Sequence, residues 1–289
     1  MYKIVEKEVL APNIFSMDIL APRVAESAQP GQFVIVIADG AGERVPLTIC
    51  DYDLEKGTVN IVVQPMGCST KKLDRLEKGD YVKDFVGPLG QPSEYVNENI
   101  EELKKQKILF VAGGVGTAPV YPQVRWFHER GIDVDVIIGA KNKDLVILED
   151  KIGEVAGNLY VTTDDGSYGF DGMVTGKIED LVKNEGKYYD KVIAIGPMIM
   201  MKFVCKLTEE LGIPTVVSLN PIMVDGTGMC GACRVSIDGE TKFACVDGPE
   251  FNGHDVDFDE ALRRQAQYKS EECKKDDKVK VECKAGGAK

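Results

Sequence analysis

The residues best suited to chemistry lie late in the chain, in Asp225-Gly226-Thr227-Gly228-Met229-Cys230-Gly231-Ala232-Cys233, with Cys245 twelve positions on. A plant-type two-iron cluster loop spaces its ligands C-x4-C-x2-C, followed by a distant cysteine. Cys230, Cys233 and Cys245 take the second, third and fourth places, and Asp225 takes the first. Three thiolates and a carboxylate make four anionic donors, and iron accepts the harder oxygen. The glycines allow a tight loop that can turn several ligands inward. Two plainer readings stay open. Asp225 can be a solvated turn residue, or the thiols can hold zinc, although zinc sites usually draw on two CxxC pairs and one is present here.

Two further segments suit phosphate groups. Ala112-Gly113-Gly114-Val115-Gly116-Thr117-Ala118-Pro119 follows the apolar run Lys107–Ala112 and opens a helix. Glycines let a backbone approach a pyrophosphate at such a helix start. The dinucleotide fingerprint is imperfect, because Pro119 stands at the third glycine position and Gly139-Ala140-Lys141 supplies no acid after the next strand. Nearer the N-terminus, Arg44-Val45-Pro46-Leu47-Thr48 offers a planar guanidinium and a hydroxyl, and Gly67-Cys68-Ser69-Thr70 precedes a short helix expected to end at Leu76. Taken singly, Arg44 reads as a surface ion pair and Ser69 as a helix cap. His128, on a helix, and His254, in a loop, read as structural.

The elements around these segments fall into groups. Residues 1–97 carry period-two alternation at Thr58–Gln64 and Ile14–Ile19, with turns at Pro30-Gly31, Asp39-Gly40 and Lys78-Gly79-Asp80, which predicts a small antiparallel Greek-key barrel. From 98 to 220, strands at Lys107–Ala112, Val134–Ile138, Asn158–Thr163, Lys191–Gly196 and Pro214–Leu219 are spaced for intervening helices, which predicts a doubly wound parallel sheet. Residues 221–260 form a small Gly-rich cysteine segment. Residues 261–289 complete an amphipathic helix that begins beyond Asp259 and end in a charged tail, expected to be poorly ordered from Ser270 onward. The fold class expected is α+β multidomain.

The chain has 47 acidic and 35 basic residues, for a net charge of −12, which disfavours nucleic acid as a partner. The charged start Met1–Glu8 is not a signal peptide, and no run of 18 apolar residues predicts a membrane span. A reducing cytoplasm is therefore expected for the eight cysteines, where thiols serve metals or packing. Cys50, Cys68 and Cys205 are scattered; Cys273 and Cys283 lie in the tail.

Barrel, Arg-x-Pro-Leu-Thr, Gly-x-Ser-Thr, Gly-Gly-x-Gly-Thr-Ala-Pro and an iron–sulfur loop, in that order up to about Tyr268, resemble the ferredoxin reductase-like electron-transfer subunits. That group includes the iron–sulfur flavoprotein subunit of dihydroorotate dehydrogenase. Within Ser218–Val235 that branch has cysteine as the first ligand, whereas Asp225 resembles the small subunits of NADH-dependent reduced ferredoxin:NADP oxidoreductases, related to sulfide dehydrogenase beta subunits. The resemblance implies FAD on the barrel, contacted by Arg44, Val45, Pro46, Leu47 and Thr48, by Val62, Val63 and Gln64, and by Gly67, Ser69 and Thr70. It implies NAD(H) at Gly114, Val115, Gly116 and Thr117, with Asp165, Gly196, Pro197 and Met198 nearby. Residue chemistry alone leaves NAD against NADP open, since Lys141 and Lys143 follow the second strand. The resemblance further implies a [2Fe–2S] cluster on Asp225, Cys230, Cys233 and Cys245, and a larger flavoprotein partner carrying further FAD and iron–sulfur clusters. Ferredoxin and NADP(H) would be reached through that partner, in electron bifurcation or its reverse. Hydride transfer needs no side-chain acid or base, so no catalytic residue is expected. The alternatives are the electron-transfer subunit of an NAD-dependent dihydroorotate dehydrogenase and a non-catalytic metal-binding module.

Overall fold

The structure, a computed structural model, describes residues 1–268 and residue 271. The expectations for the tail, Cys273 and Cys283 included, fall outside the described residues. The first sheet is built from β1 (Tyr2–Ala11), β2 (Ile14–Leu20), β3 (Phe33–Ile37), β4 (Val45–Asp53), β5 (Thr58–Val63), β6 (Tyr81–Val82) and β7 (Asp84–Leu89). Its order is β6-β1-β2-β5-β4-β3-β7, with every pairing antiparallel. Consecutive β3, β4 and β5 with β2 returning beside β5 make a Greek key. The two edge strands β6 and β7 are separated only by Lys83, so the chain itself nearly closes the barrel. Alternate residues Phe15, Met17 and Ile19, Val34 and Val36, and Val59 and Ile61 fill its interior. The helices α1 (Pro22–Ser27) and α2 (Cys68–Asp74) cap this unit.

After α3 (Ile100–Leu103) the pattern changes to β8 (Ile108–Gly113), α4 (Thr117–His128), β9 (Asp135–Ala140), α5 (Glu149–Gly153), β10 (Asn158–Thr163), β11 (Phe170–Asp171), α6 (Val174–Glu179), β12 (Lys191–Ile195), α7 (Met198–Glu210) and β13 (Thr215–Ser218). The second sheet runs β11-β10-β9-β8-β12-β13, all parallel. Every residue of β8 is buried, as a central strand covered on both faces requires. Strand order reverses between β8 and β12, the switch point where open α/β sheets take ligands at their carboxyl ends.

The cysteine segment adds a hairpin, β14 (Arg234–Ile237) with β15 (Glu240–Phe243). Its last strand, β16 (Glu250–Asn252), pairs antiparallel with β13 and extends the nucleotide-type sheet. The amphipathic α8 (Phe258–Gln265) follows, capped by Asp257, which accepts from the Glu260 N–H at 2.8 Å. Among the described residues no helix is long and apolar enough to cross a membrane.

Candidate functional site

The cysteine loop lies against the barrel. Cys233, Cys245, Met223 and Ala244 share a buried apolar cluster with Phe33 and Ile35 of β3. The Cys233 Sγ donates to the Cys245 Sγ at 3.2 Å, and both side chains are buried. Burial, then the neighbouring Cys233 sulfur, pushes the Cys245 thiol up to about 12. A buried thiol pair ionises only beside a cation, which iron would supply. Cys230 is exposed, and the backbone N–H groups of Ala232 and Asp225 hold its thiol below the ordinary range. Asp225 Oδ2 accepts from the Thr227 N–H at 2.9 Å and from the Thr227 hydroxyl, and these bonds keep its carboxyl low. Gly226, Gly228 and Gly231 all have positive φ, at 84°, 85° and 64°. Among the described residues no three His, Cys, Asp or Glu side chains converge closely enough to hold a metal ion as they stand. Three sulfurs and a carboxylate are the donor set expected of the cluster, but only Cys233 and Cys245 stand paired as the loop is arranged here.

The candidate flavin residues lie along β4, β5 and the turn after them. Val45, Pro46, Leu47 and Thr48 pair with Val36, Ile35, Val34 and Phe33 of β3. Val62 and Val63 end β5 as buried residues, and Gln64 is exposed beyond them. The Thr70 hydroxyl accepts from the N–H groups of Met66 and Gly67 at 3.0 and 3.1 Å, which fixes the turn, while the Ser69 hydroxyl donates to Glu43 at 3.1 Å. Arg44 reaches past this row to the cysteine loop. Its Nε donates to the Val224 carbonyl at 2.9 Å and its Nη2 to the Asp225 carbonyl at 2.8 Å.

The Gly-rich turn sits at the switch point. A Cβ on Gly116 would stand 2.3 Å from the Ile195 carbonyl, and one on Gly196 would stand 3.0 Å from the Gly113 Cα. These glycines are needed for the close approach of β8 and β12. Gly114 differs: its φ is +56° and a Cβ there would meet nothing within 4 Å, so this backbone faces open space. The Thr117 hydroxyl donates back to the Gly114 carbonyl at 2.8 Å. Pro119 is tolerated in the first turn of α4, where no intrahelical partner is lost. Pro197 is exposed beside the turn, but Met198 is buried in the core beneath α7. The residue over the glycines is Met200, whose Sδ would lie 2.3 Å from a Gly113 Cβ. Asp165 is exposed in the loop after β10, two strands from the turn at the same sheet edge, and accepts from the Ser167 N–H at 3.0 Å.

The two sites meet through the Gly-rich turn and α4. Val115 and Ala118 pack with Val62 of β5 and Cys50 of β4 in one apolar cluster. Arg125 of α4 pairs with Asp51 of β4, and its guanidinium lies 5.1 Å from the Tyr52 ring. A third tie is polar: Ser93 and Gln123 both donate to Glu250 Oε1, at 2.9 and 2.8 Å, and the Tyr95 hydroxyl donates to Gln123 at 3.2 Å. Burial pushes the Glu250 carboxyl up to about 7, against the lowering effect of those two bonds. Met200, Arg125, Asp51 and Glu250 carry no local motif; only contacts distant in sequence single them out.

Comparison with known proteins places this geometry among relatives. Residues 220–257 match the iron–sulfur cluster binding domain of dihydroorotate dehydrogenase B. A Thermotoga maritima homologue of the dihydroorotate dehydrogenase B (NAD(+)) electron-transfer subunit is 46% identical, over 93% of this chain and 92% of its own. A Clostridium beijerinckii protein, named only as uncharacterized in the adh 3′ region, is 68% identical over 95% of this chain and 93% of its own. A chain in the structure of the NADH-dependent reduced ferredoxin–NADP oxidoreductase, solved for insight into flavin-based electron bifurcation, is 43% identical. It superposes with a TM-score of 0.89, covering 97% of this chain and 98% of its own.

Proposed function

The chain belongs to the family of dihydroorotate dehydrogenase B electron-transfer subunits and their homologues, and from that premise we propose that it is the small subunit of a ferredoxin:NADP oxidoreductase, exchanging hydride with NAD(H) and single electrons with a larger flavoprotein partner. One observation carries this reading. The barrel touches the nucleotide turn on one side, through Val62, Val115 and Ala118, and the buried cysteine pair on the other, through Phe33 and Ile35. FAD, when bound, interconverts the two-electron hydride chemistry of a nicotinamide and the one-electron chemistry of an iron–sulfur cluster, and the barrel between the two sites is where it belongs.

The chain's own residues then have distinct tasks. Val45, Pro46, Leu47 and Thr48, with Val62, Val63 and Gln64, would line the flavin, and Gly67, Ser69 and Thr70 would offer backbone and hydroxyl donors to its phosphates. Gly114, Val115, Gly116 and Thr117 would admit the nicotinamide dinucleotide, with Gly196 and Pro197 flanking it and Asp165 along the sheet edge. Val115 and Ala118 would supply apolar packing between the two sites, as they do against Val62 and Cys50 here. Asp225, Cys230, Cys233 and Cys245 would ligate the [2Fe–2S] cluster. The nearest of these assignments to test is cofactor content. Anaerobically isolated chain should carry one FAD and two irons, read by absorbance and iron assay; colourless protein would sink the reading in favour of a non-catalytic module.

The dihydroorotate dehydrogenase reading has its own support, the match of residues 220–257 and the T. maritima relative. It predicts a dihydroorotate-oxidising partner. Asp225, in place of a first-ligand cysteine, favours the ferredoxin:NADP reading instead. Affinity isolation of the native complex, with the partner's mass and flavin count, separates the two. A reducing cytoplasm suits either complex, because the oxygen-sensitive cluster and free thiols persist there.

A further inference from the structure

We infer that Arg44 is a positioning residue that seats the cysteine loop against the barrel, clamping the consecutive carbonyls of Val224 and Asp225. Arg44 immediately precedes β4, the strand that carries the proposed flavin row. Its Nε and Nη2 donate to two consecutive carbonyls, Val224 at 2.9 Å and Asp225 at 2.8 Å, across 180 and 181 residues of chain. A planar fork suits two adjacent acceptors in a way a point charge does not. The loop is flush with the barrel at the same place. A Cβ on Gly226 would stand 3.0 Å from Ile35 Cγ1 and 3.2 Å from Leu89 Cδ1. Just before the clamp, Met223 is buried in the cluster with Phe33 and Ile35. Met223, the Arg44 clamp and Gly226 thus fix one end of the loop in three successive contacts, and Asp225 is held between them. Three of the guanidinium's five donors remain, so the clamp does not bar a flavin phosphate from the same side chain.

This role deepens the proposed function but rests on it only in part, because loop seating is measurable without a cluster. Hydrogen exchange across residues 222–231 in chelator-treated, iron-free chain tests the clamp directly. Arg44→Ala should exchange about tenfold faster there than the parent, as loss of charge-assisted hydrogen bonds implies, and Arg44→Lys should recover part of the protection. In loaded protein, Arg44→Gln should lower the cluster's midpoint potential, because a positive charge beside the loop is removed, whereas Arg44→Lys should hold it near the parent value. Unchanged exchange in Arg44→Ala would overturn the inference, as would loss of FAD with exchange and cluster spectrum intact. If Arg44→Ala fails to fold, Arg44→Gln takes its place in the exchange measurement. Parent chain that never binds iron would instead sink the proposed function, while exchange still decides the role of Arg44.

Discussion

At Asp225 a carboxylate stands where a thiolate is the usual donor, and its consequences are measurable. A carboxylate gives iron less electron density than sulfur. Asp225→Cys should retain the cluster with an altered electron paramagnetic resonance signal and potential, whereas Asp225→Ala should retain less than about half of the parent iron after gel filtration. If both variants keep the parent spectrum and potential, Asp225 is a turn residue held by Thr227 and the Met229 N–H. Glu250 makes a second residue-scale prediction. Its carboxyl is raised from an ordinary 4.5 to about 7, by burial first, while Ser93, Gln123 and Lys191 pull it down and Glu94 pushes it up. Between those two values the folded chain holds a proton that the unfolded chain has released, so stability falls as pH rises through that window. Glu250→Gln keeps an acceptor for both donors and cannot ionise. It should flatten the pH dependence of Tm between about pH 5 and 7.5 and stabilise the chain at pH 8 by at most about 3 kcal/mol, at ~1.4 kcal/mol per unit. A parent-like slope in this variant would show that Glu250 stays ionised throughout.

Among the elements, the turn from β8 into α4 separates two demands that the motif merges. Gly116 is needed because the Ile195 carbonyl would lie 2.3 Å from its Cβ, and Gly114 because its φ is +56° beside open space. Gly116→Ala should cost about 1–3 kcal/mol through forced separation of the strands, visible as a lower Tm. Gly114→Ala should cost closer to 1 kcal/mol yet raise KM for the nucleotide roughly tenfold, because a methyl enters the space left for it. Equal effects of the two on Tm, or no change in KM for Gly114→Ala, would contradict that division. The strands here are legible in the residues themselves: Asn158–Thr163 and Lys191–Ile195 follow from apolar and β-branched runs bounded by glycines and charges. β16 is not, since Glu250-Phe251-Asn252 has no strand pattern of its own and is a strand only because β13 offers it an open edge. The same limit applies to side chains. Cysteine spacing announces a metal loop, and Gly-Gly-x-Gly announces a nucleotide turn. Nothing near Arg44 announces a contact 180 residues away, and nothing in Gly196-Pro197-Met198 says that Met198 turns into the core while Met200 covers the glycines.

For the whole molecule, the proposed function sets a flavin on the barrel between two other redox groups, and the contacts among three units bear on that proposal. The Gly-rich turn and α4 after it join the nucleotide sheet to the barrel through Val115, Ala118 and the Arg125–Asp51 pair. The cysteine segment joins both, through β16 to the sheet and through Met223 and Arg44 to the barrel. Under the proposed function electrons enter at the nucleotide turn, pass through the flavin on the barrel and leave at the cysteine loop. The most direct measurement is an anaerobic rapid-mixing experiment on the isolated, cofactor-loaded chain with NADH. Flavin absorbance should bleach first, followed by the electron paramagnetic resonance signal of a reduced two-iron cluster, with NADPH slower in both steps. Flavin that stays oxidised under excess NADH, or a cluster signal that rises without flavin bleaching, would contradict the account.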